Sequence, residues 1–107
     1  MGARDSQDLA VCRGGEHLVT AGLVTVRQRP SSAKGTLFLL LEDEWGVVNV
    51  ICSRNLDLAF GEVIRHAAFL LVYGRVERDG AQINLIAFRF EALESDSVVA
   101  HRARDFH

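Results

Sequence analysis

The sequence predicts an all-β domain with one short helix: a five-stranded Greek-key barrel whose helix lies between strands three and four. Three observations carry this reading. Five stretches have the two-residue alternation or β-branched richness of half-buried strands, one stretch switches to the helical period, and Gly, Pro or Asp punctuates the joins. With 107 residues, 49% hydrophobic and 24% charged, the chain has the size and composition of one globular domain that buries its own core.

Residues 1–16 are polar and glycine-containing and read as a leader or linker, in which Leu9, Ala10 and Val11 form a short segment able to dock on the barrel. The first strand starts at His17 and is rich in Val, Leu and Thr, with Gly22 in its middle. A glycine inside a strand marks a bulge or a close backbone approach. Small barrels need such a bend to curl a long first strand into both ends of the sheet. Arg27–Gly35 (RQRPSSAKG) is a basic connection punctuated by Pro, Ser and Gly. Thr36–Asp43 is strand two and Gly46–Cys52 strand three, joined at Glu44-Trp45 by a tight acidic turn.

Over 53–67 the period changes. Leu56, Phe60, Val63 and Ile64 form the stripe of an amphipathic helix. Ser53 or Asn55 caps its start, Arg65 and His66 suit its C-terminal dipole, and Gly61 makes it irregular or short. Phe69–Val76 is strand four, Asp79-Gly80 a hairpin turn, and Gln82–Phe90 strand five. Three strands, a helix and two strands are the order of the OB-fold. The domain is expected over 17–92, with a polar C-terminal tail over 93–107.

In that fold, oligonucleotides meet the outer face of strands two and three, flanked by the strand 1–2 and 4–5 connections. Alternation places Leu37, Leu39 and Leu41 inside, with Phe38, Leu40 and Glu42 outside. In strand three Val48, Val50 and Cys52 point in, and Val47, Asn49 and Ile51 point out. Phe38 is the one outward aromatic on which a base can stack. Arg27, Arg29 and Lys34 from the first connection, with Arg75 and Arg78 from strand four, supply positive charge around it. Asn49 is placed to hydrogen-bond a base or a partner. Leu40, Val47 and Ile51 make the same face apolar, which suits a protein partner as well as a nucleic acid. The net charge of −2 restricts any nucleic-acid contact to a local patch.

Other chemistries find no support. Glu42-Asp43-Glu44 are consecutive at a hairpin and read as a solvated turn, whereas two-metal phosphoryl transfer needs carboxylates converging from separate elements. His17, His66, His101 and His107 lack metal-ligand spacing, and Cys12 with His17 is half a zinc site at most. No phosphate loop or nucleophile triad is present. The expectation is no catalytic residue, no metal and no cofactor. Cys12 and Cys52, 40 positions apart, suit a reducing cytoplasm. No apolar run is long enough for a membrane span or a signal peptide.

The run GLVTVRQRPSSAKGTLFLLLEDEWGVVNVI (Gly22–Ile51) resembles the C-terminal OB domain of bacterial error-prone DNA polymerases, C-family enzymes related to the replicative alpha subunit. Asp8-Leu9, Gly14-Gly15, the later VYGRVER and the terminal Ala103–His107 extend the likeness over nearly the whole chain from about Ser6. Cys52-Ser53 departs from the family's common Trp-Pro, and Asn84 stands where His is frequent. The resemblance implies an accessory role in damage-tolerant, translesion DNA synthesis and repair. The domain would hold single-stranded template, or dock the polymerase catalytic region or an adaptor protein of the translesion machinery. The family's catalytic aspartates have no counterpart here. The rival readings are a pure protein-interaction OB module and a tRNA anticodon-binding OB domain; the RQRP–AKG series and the Asp-Phe-His end speak against the latter.

Overall fold

The computed structural model describes residues 5–31 and 34–93; the expected tail from residue 94 onward lies outside the described residues. Strands β1 (His17–Gln28), β2 (Leu37–Glu42), β3 (Val47–Cys52), β4 (Phe69–Asp79) and β5 (Gln82–Leu93) close into a barrel in the order β1-β2-β3-β5-β4. Helix α1 (Ser6–Val11) precedes the barrel and α2 (Arg54–His66) joins β3 to β4. All pairings are antiparallel except the short parallel seam of β3 with β5, where Asn49, Val50 and Ile51 face Asn84, Leu85 and Ile86.

The expected faces of β2 and β3 hold. Leu37, Leu39, Leu41, Val48, Val50 and Cys52 are buried. They meet Leu70, Val72, Val76, Leu85 and Phe90 from the other half of the barrel. One core of this kind supplies the apolar burial on which folding rests.

β1 serves two neighbours. Its first half, His17 to Leu23, pairs with β4, and its second, Leu23 to Gln28, pairs with β2. At the switch a Cβ on Gly22 would lie 2.9 Å from the Glu42 carbonyl oxygen, so the glycine marks a close backbone approach. The bulge falls three residues later, where Val24 pairs with Leu41 and Val26 with Leu40, leaving Thr25 extra. That insertion reverses the alternation. Val26 and Gln28 therefore point outwards, and Arg27, opposite Leu39, turns towards α2. β1 thus runs two residues into the expected connection.

Both ends of the barrel are fastened. Ser53 caps α2 by accepting the Leu56 N–H at 3.3 Å, and Ile64 of this helix is buried with Leu56, Phe60 and Val63 packed on the core. The expected irregularity appears at Phe60, whose φ of −113° leaves the helical region one residue before Gly61. Helix α1 inserts Leu9 beside Cys12 into the core cluster, and Asp5 with Asp8 forms its capping box. The Arg78 guanidinium donates from Nε to the Cys12 carbonyl at 2.7 Å, and Gly15 and Val76 hydrogen-bond across the same junction.

Asp43 corrects the expectation of a solvated acidic turn. Its carboxylate accepts from Ser6 N at 2.6 Å, Ser6 Oγ at 2.7 Å, Trp45 N at 2.8 Å and Gly46 N at 2.9 Å. It thereby holds α1 onto the β2–β3 turn, while Glu42 and Glu44 stay exposed.

Gly74 has the tightest approach. A Cβ there would sit 2.6 Å from the Ile86 carbonyl oxygen and 2.8 Å from Leu85 Cγ, in the barrel wall. Gly74→Ala is expected to destabilise by about 1–3 kcal/mol through overpacking. Gly14→Ala, whose Cβ would have 3.9 Å to its nearest atom, should leave the urea midpoint nearly unchanged. Equal midpoints for the two variants would contradict this packing.

Candidate nucleic-acid interface

The outer face of β2, β3 and the start of β5 is organised in lateral rows by strand register. One row runs Gln28, Phe38, Ile51, Ile86, Arg75, His17; the next runs Val26, Leu40, Asn49, Asn84, Glu77. Phe38 is 38% exposed, with the polar Gln28 on one side and Ile51 on the other. Val26, Gln28, Phe38, Leu39, Leu40 and Asn49 line a depression of about 340 Å³. A second depression of about 290 Å³ lies between α1, β3 and the β4–β5 turn, with Ser6, Val47, Asn49 and Gln82 among its lining residues. Asn49 borders both, so together they trace one path across the sheet.

The expected cations do not gather on this path. Arg27, redirected by the bulge, donates from Nε to the Ile64 carbonyl and from Nη2 to the Ala67 carbonyl, both at 2.8 Å. It adds positive charge at the C-terminus of α2, where Arg65 and His66 stand in the last turn as expected. Those two also approach Glu62, at 3.0 and 3.3 Å. Arg29 makes a two-pronged pair with Asp57, at 2.8 and 2.9 Å. The hydrogen bond that Arg29 donates to Asp57 raises its pKa above the ordinary value. Arg78 is committed to α1. The side chains of Lys34 and Arg75 make no hydrogen bond or ion pair among the described residues. Lys34 sits at φ 53° in the turn before β2, and Arg75 projects from β4 two strands away from Ile51 along the Phe38 row.

The apolar candidates are in place. Leu40 and Ile51 are half-buried on the outer face, Val47 is 53% exposed, and Trp45 at the adjoining turn is equally exposed. Sequence reasoning did not single out Gln82, Asn84 or Trp45 for this face. The parallel β3–β5 seam puts Asn84 beside Asn49, and the signal for it was one polar residue in the otherwise apolar run Ile83–Phe88.

The model of the OB-fold nucleic acid binding domain of the tRNA anticodon type matches residues 18–93, and the chain belongs to that family. Among curated proteins it is similar to the error-prone DNA polymerase of Anaeromyxobacter sp. (strain K), 45% identical over 87 residues, or 81% of this chain and 8% of the polymerase. It is also similar to the error-prone DNA polymerase of Pseudomonas fluorescens (strain Pf0-1), 42% identical over 105 residues, or 97% of this chain and 10% of the polymerase. The chain thus spans about a tenth of the length of the curated relatives it matches. Among solved structures, asparaginyl-tRNA synthetase from Pyrococcus horikoshii superposes with a TM-score of 0.72 at 18% identity, covering 88% of this chain and 23% of the synthetase. At that identity the likeness is one of fold.

Two expectations follow from the side chains now accounted for. Arg27→Ala removes two charge-assisted hydrogen bonds to helix-end carbonyls and should cost about 1–3 kcal/mol of stability. It should leave the salt dependence of any oligonucleotide binding unchanged; a flattened salt dependence would return Arg27 to the interface. Cys52, at the barrel end facing α2, has its thiol pKa pushed up from 9.0 to about 12, first by burial and then by the Asp57 carboxylate, with Arg29 opposing. Because the folded value lies above the unfolded one, this group's stabilisation is complete below about pH 9 and is lost as pH rises towards 12. Peptide mapping after iodoacetamide at pH 9 should find Cys52 alkylated at least about tenfold more slowly in the native chain than in urea. Equal rates would show the thiol to be accessible.

Proposed function

We propose that this chain serves as the accessory nucleic-acid-binding domain of an error-prone DNA polymerase. It holds single-stranded template during damage-tolerant, translesion synthesis and carries out no chemistry itself. The observation that carries the reading is the position of Phe38. It is an exposed ring in a depression at the centre of the face that OB-folds present to oligonucleotides, in a chain whose relatives of 42–45% identity are error-prone DNA polymerases. Phe38 supplies the stacking platform, Asn49 a polar group at its edge, and Lys34 and Arg75 the charges for phosphates. The domain would work in the cytoplasm beside the catalytic region of the polymerase. No helix among the described residues is long and apolar enough to cross a membrane.

A second reading has one observation in its favour. With Arg27, Arg29 and Arg78 committed to internal contacts, the face is poor in charge and rich in Leu40, Val47, Ile51 and Trp45. Such a surface can dock the polymerase body or an adaptor protein of the translesion machinery.

Fluorescence anisotropy with a labelled mixed-sequence single strand separates the two. Two cations predict a salt slope of roughly −1.4, about 0.7 for each phosphate neutralised. Lys34→Ala should flatten that slope by about half. Phe38→Ala should weaken binding by about 1–3 kcal/mol and leave the slope alone, because stacking releases no counterions. No binding by the unaltered chain at low salt would hand the face to a protein partner.

A further inference from the structure

We infer that this chain pairs with a second copy of itself through the outer face of β1, β4 and β5, on the side of the barrel away from β2 and β3. Strand register crosses that face in rows. The end row is Leu23, Phe69 and Leu93. The two middle rows are Ala21, Leu71, Glu91 and Val19, Tyr73, Arg89. Beyond them the pairing of β5 with β4 shifts after Tyr73 and leaves Phe88 extra. Its ring is 47% exposed and meets His17 edge-on at 5.1 Å. Each residue of these rows is half-buried or exposed, and apart from Arg89 and Glu91 they are all aliphatic or aromatic. The two charges neutralise each other: Arg89 Nη2 lies 2.6 Å from Glu91 Oε1. The guanidinium also stands over the Tyr73 ring, 5.3 Å from its centroid.

The charges identify the occupant. Arg89 and Glu91 stand on adjoining rows of one strand, opposite in sign. A two-fold axis running across the strands between the two middle rows sets Arg89 of each copy against Glu91 of the other. The two ion pairs then close into a ring of four alternating charges. The same operation sets Leu71 against Tyr73 and Ala21 against Val19, smaller against larger, and brings Phe88 over the row that holds Phe69. Strand axes of the two copies stay aligned, as in face-to-face sheet packing. A different partner would need its own matched pair of opposite charges at this spacing, whereas a second copy has it already. A neutralised pair also costs less to bury than a lone charge. From about 4.8 Å between strands and 3.4 Å per residue, the face has a flat footprint of roughly 340 Å², small against the roughly 800 Å² that each partner buries in a stable complex. The pairing is therefore weak and concentration-dependent.

Sedimentation velocity of the unaltered chain from about 10 μM to about 1 mM tests this, with the mean sedimentation coefficient expected to rise towards that of a dimer. A coefficient that stays monomeric throughout would overturn the pairing and leave the face to a different protein. Leu71→Asp should abolish the rise, and Leu58→Asp, at an exposed leucine of α2, should leave it unchanged. Each variant is first checked for a native melting transition. Association that survives Leu71→Asp would lie elsewhere on the chain and overturn this face. Arg89→Glu and Glu91→Arg should each weaken self-association by about tenfold or more, because like charges then meet. Mixed in equal amounts, the two variants should associate at least as tightly as the unaltered chain, since every cross-pair is again of opposite sign. A mixture that does not associate would overturn the two-fold geometry. None of these readouts involves oligonucleotide binding, so they stand apart from the single-strand reading above.

Discussion

A small five-stranded sheet closes on itself where a long strand bends so that its two halves pair with different neighbours, and here that strand is β1. Its switch from β4 to β2 takes place at Leu23, which pairs with Phe69 on one side and Glu42 on the other. The chain has to bend sharply there, and a bend in a strand needs a place where backbone can approach backbone and a residue that can leave the ladder. Gly22 provides the first and Thr25 the second. The rest follows from this bend. It lets β3 reach β5 through three parallel pairs, closes the core, and turns Arg27 from the outer face towards α2.

Closure leaves two open barrel ends, each covered by a helix held by charge as well as by apolar packing. At one end Arg27 of β1 and Arg29 just beyond it tie α2 to the end of that strand, Arg29 through Asp57. At the other, Asp43 and Arg78 hold opposite ends of α1. These contacts are partly exposed, so each contributes modestly. Arginines that would otherwise make the surface basic are committed to holding the fold. The depression around Phe38 is left with amides, aliphatic side chains and one ring.

A face of that composition favours stacking and hydrogen bonding over counterion release. A domain that borrowed all its affinity from phosphates would bind strands indiscriminately and strongly at low salt. The path through Phe38 and Asn49 is instead suited to modest, contact-dependent holding of a strand. Such holding fits the proposed accessory role of a chain that spans about a tenth of the length of the curated relatives it matches.

Much of this was legible in the sequence. The alternation of LFLLLE and VVNVIC determined which side chains fill the barrel, because a strand with one buried face tolerates no slip of register. The stripe of Leu56, Phe60, Val63 and Ile64 determined the helix, and the order of elements determined the topology. Phe38 as the outward ring and Asn49 beside it were readable from the same period of two. The destinations of the arginines were decided only by the tertiary structure. A glycine in β1 announced a bend, but not that the bulge would fall at Thr25 and reverse the direction of Arg27. Asp57 and Asp43 lie far in sequence from Arg29 and Ser6, and only closure brings them together. The Asn49–Asn84 pair has the same origin: it joins residues 35 positions apart through a parallel seam that local periodicity does not encode. Period and composition are properties of neighbours along the chain, whereas the partner of a long charged or amide side chain is set by whichever strand the barrel brings alongside it.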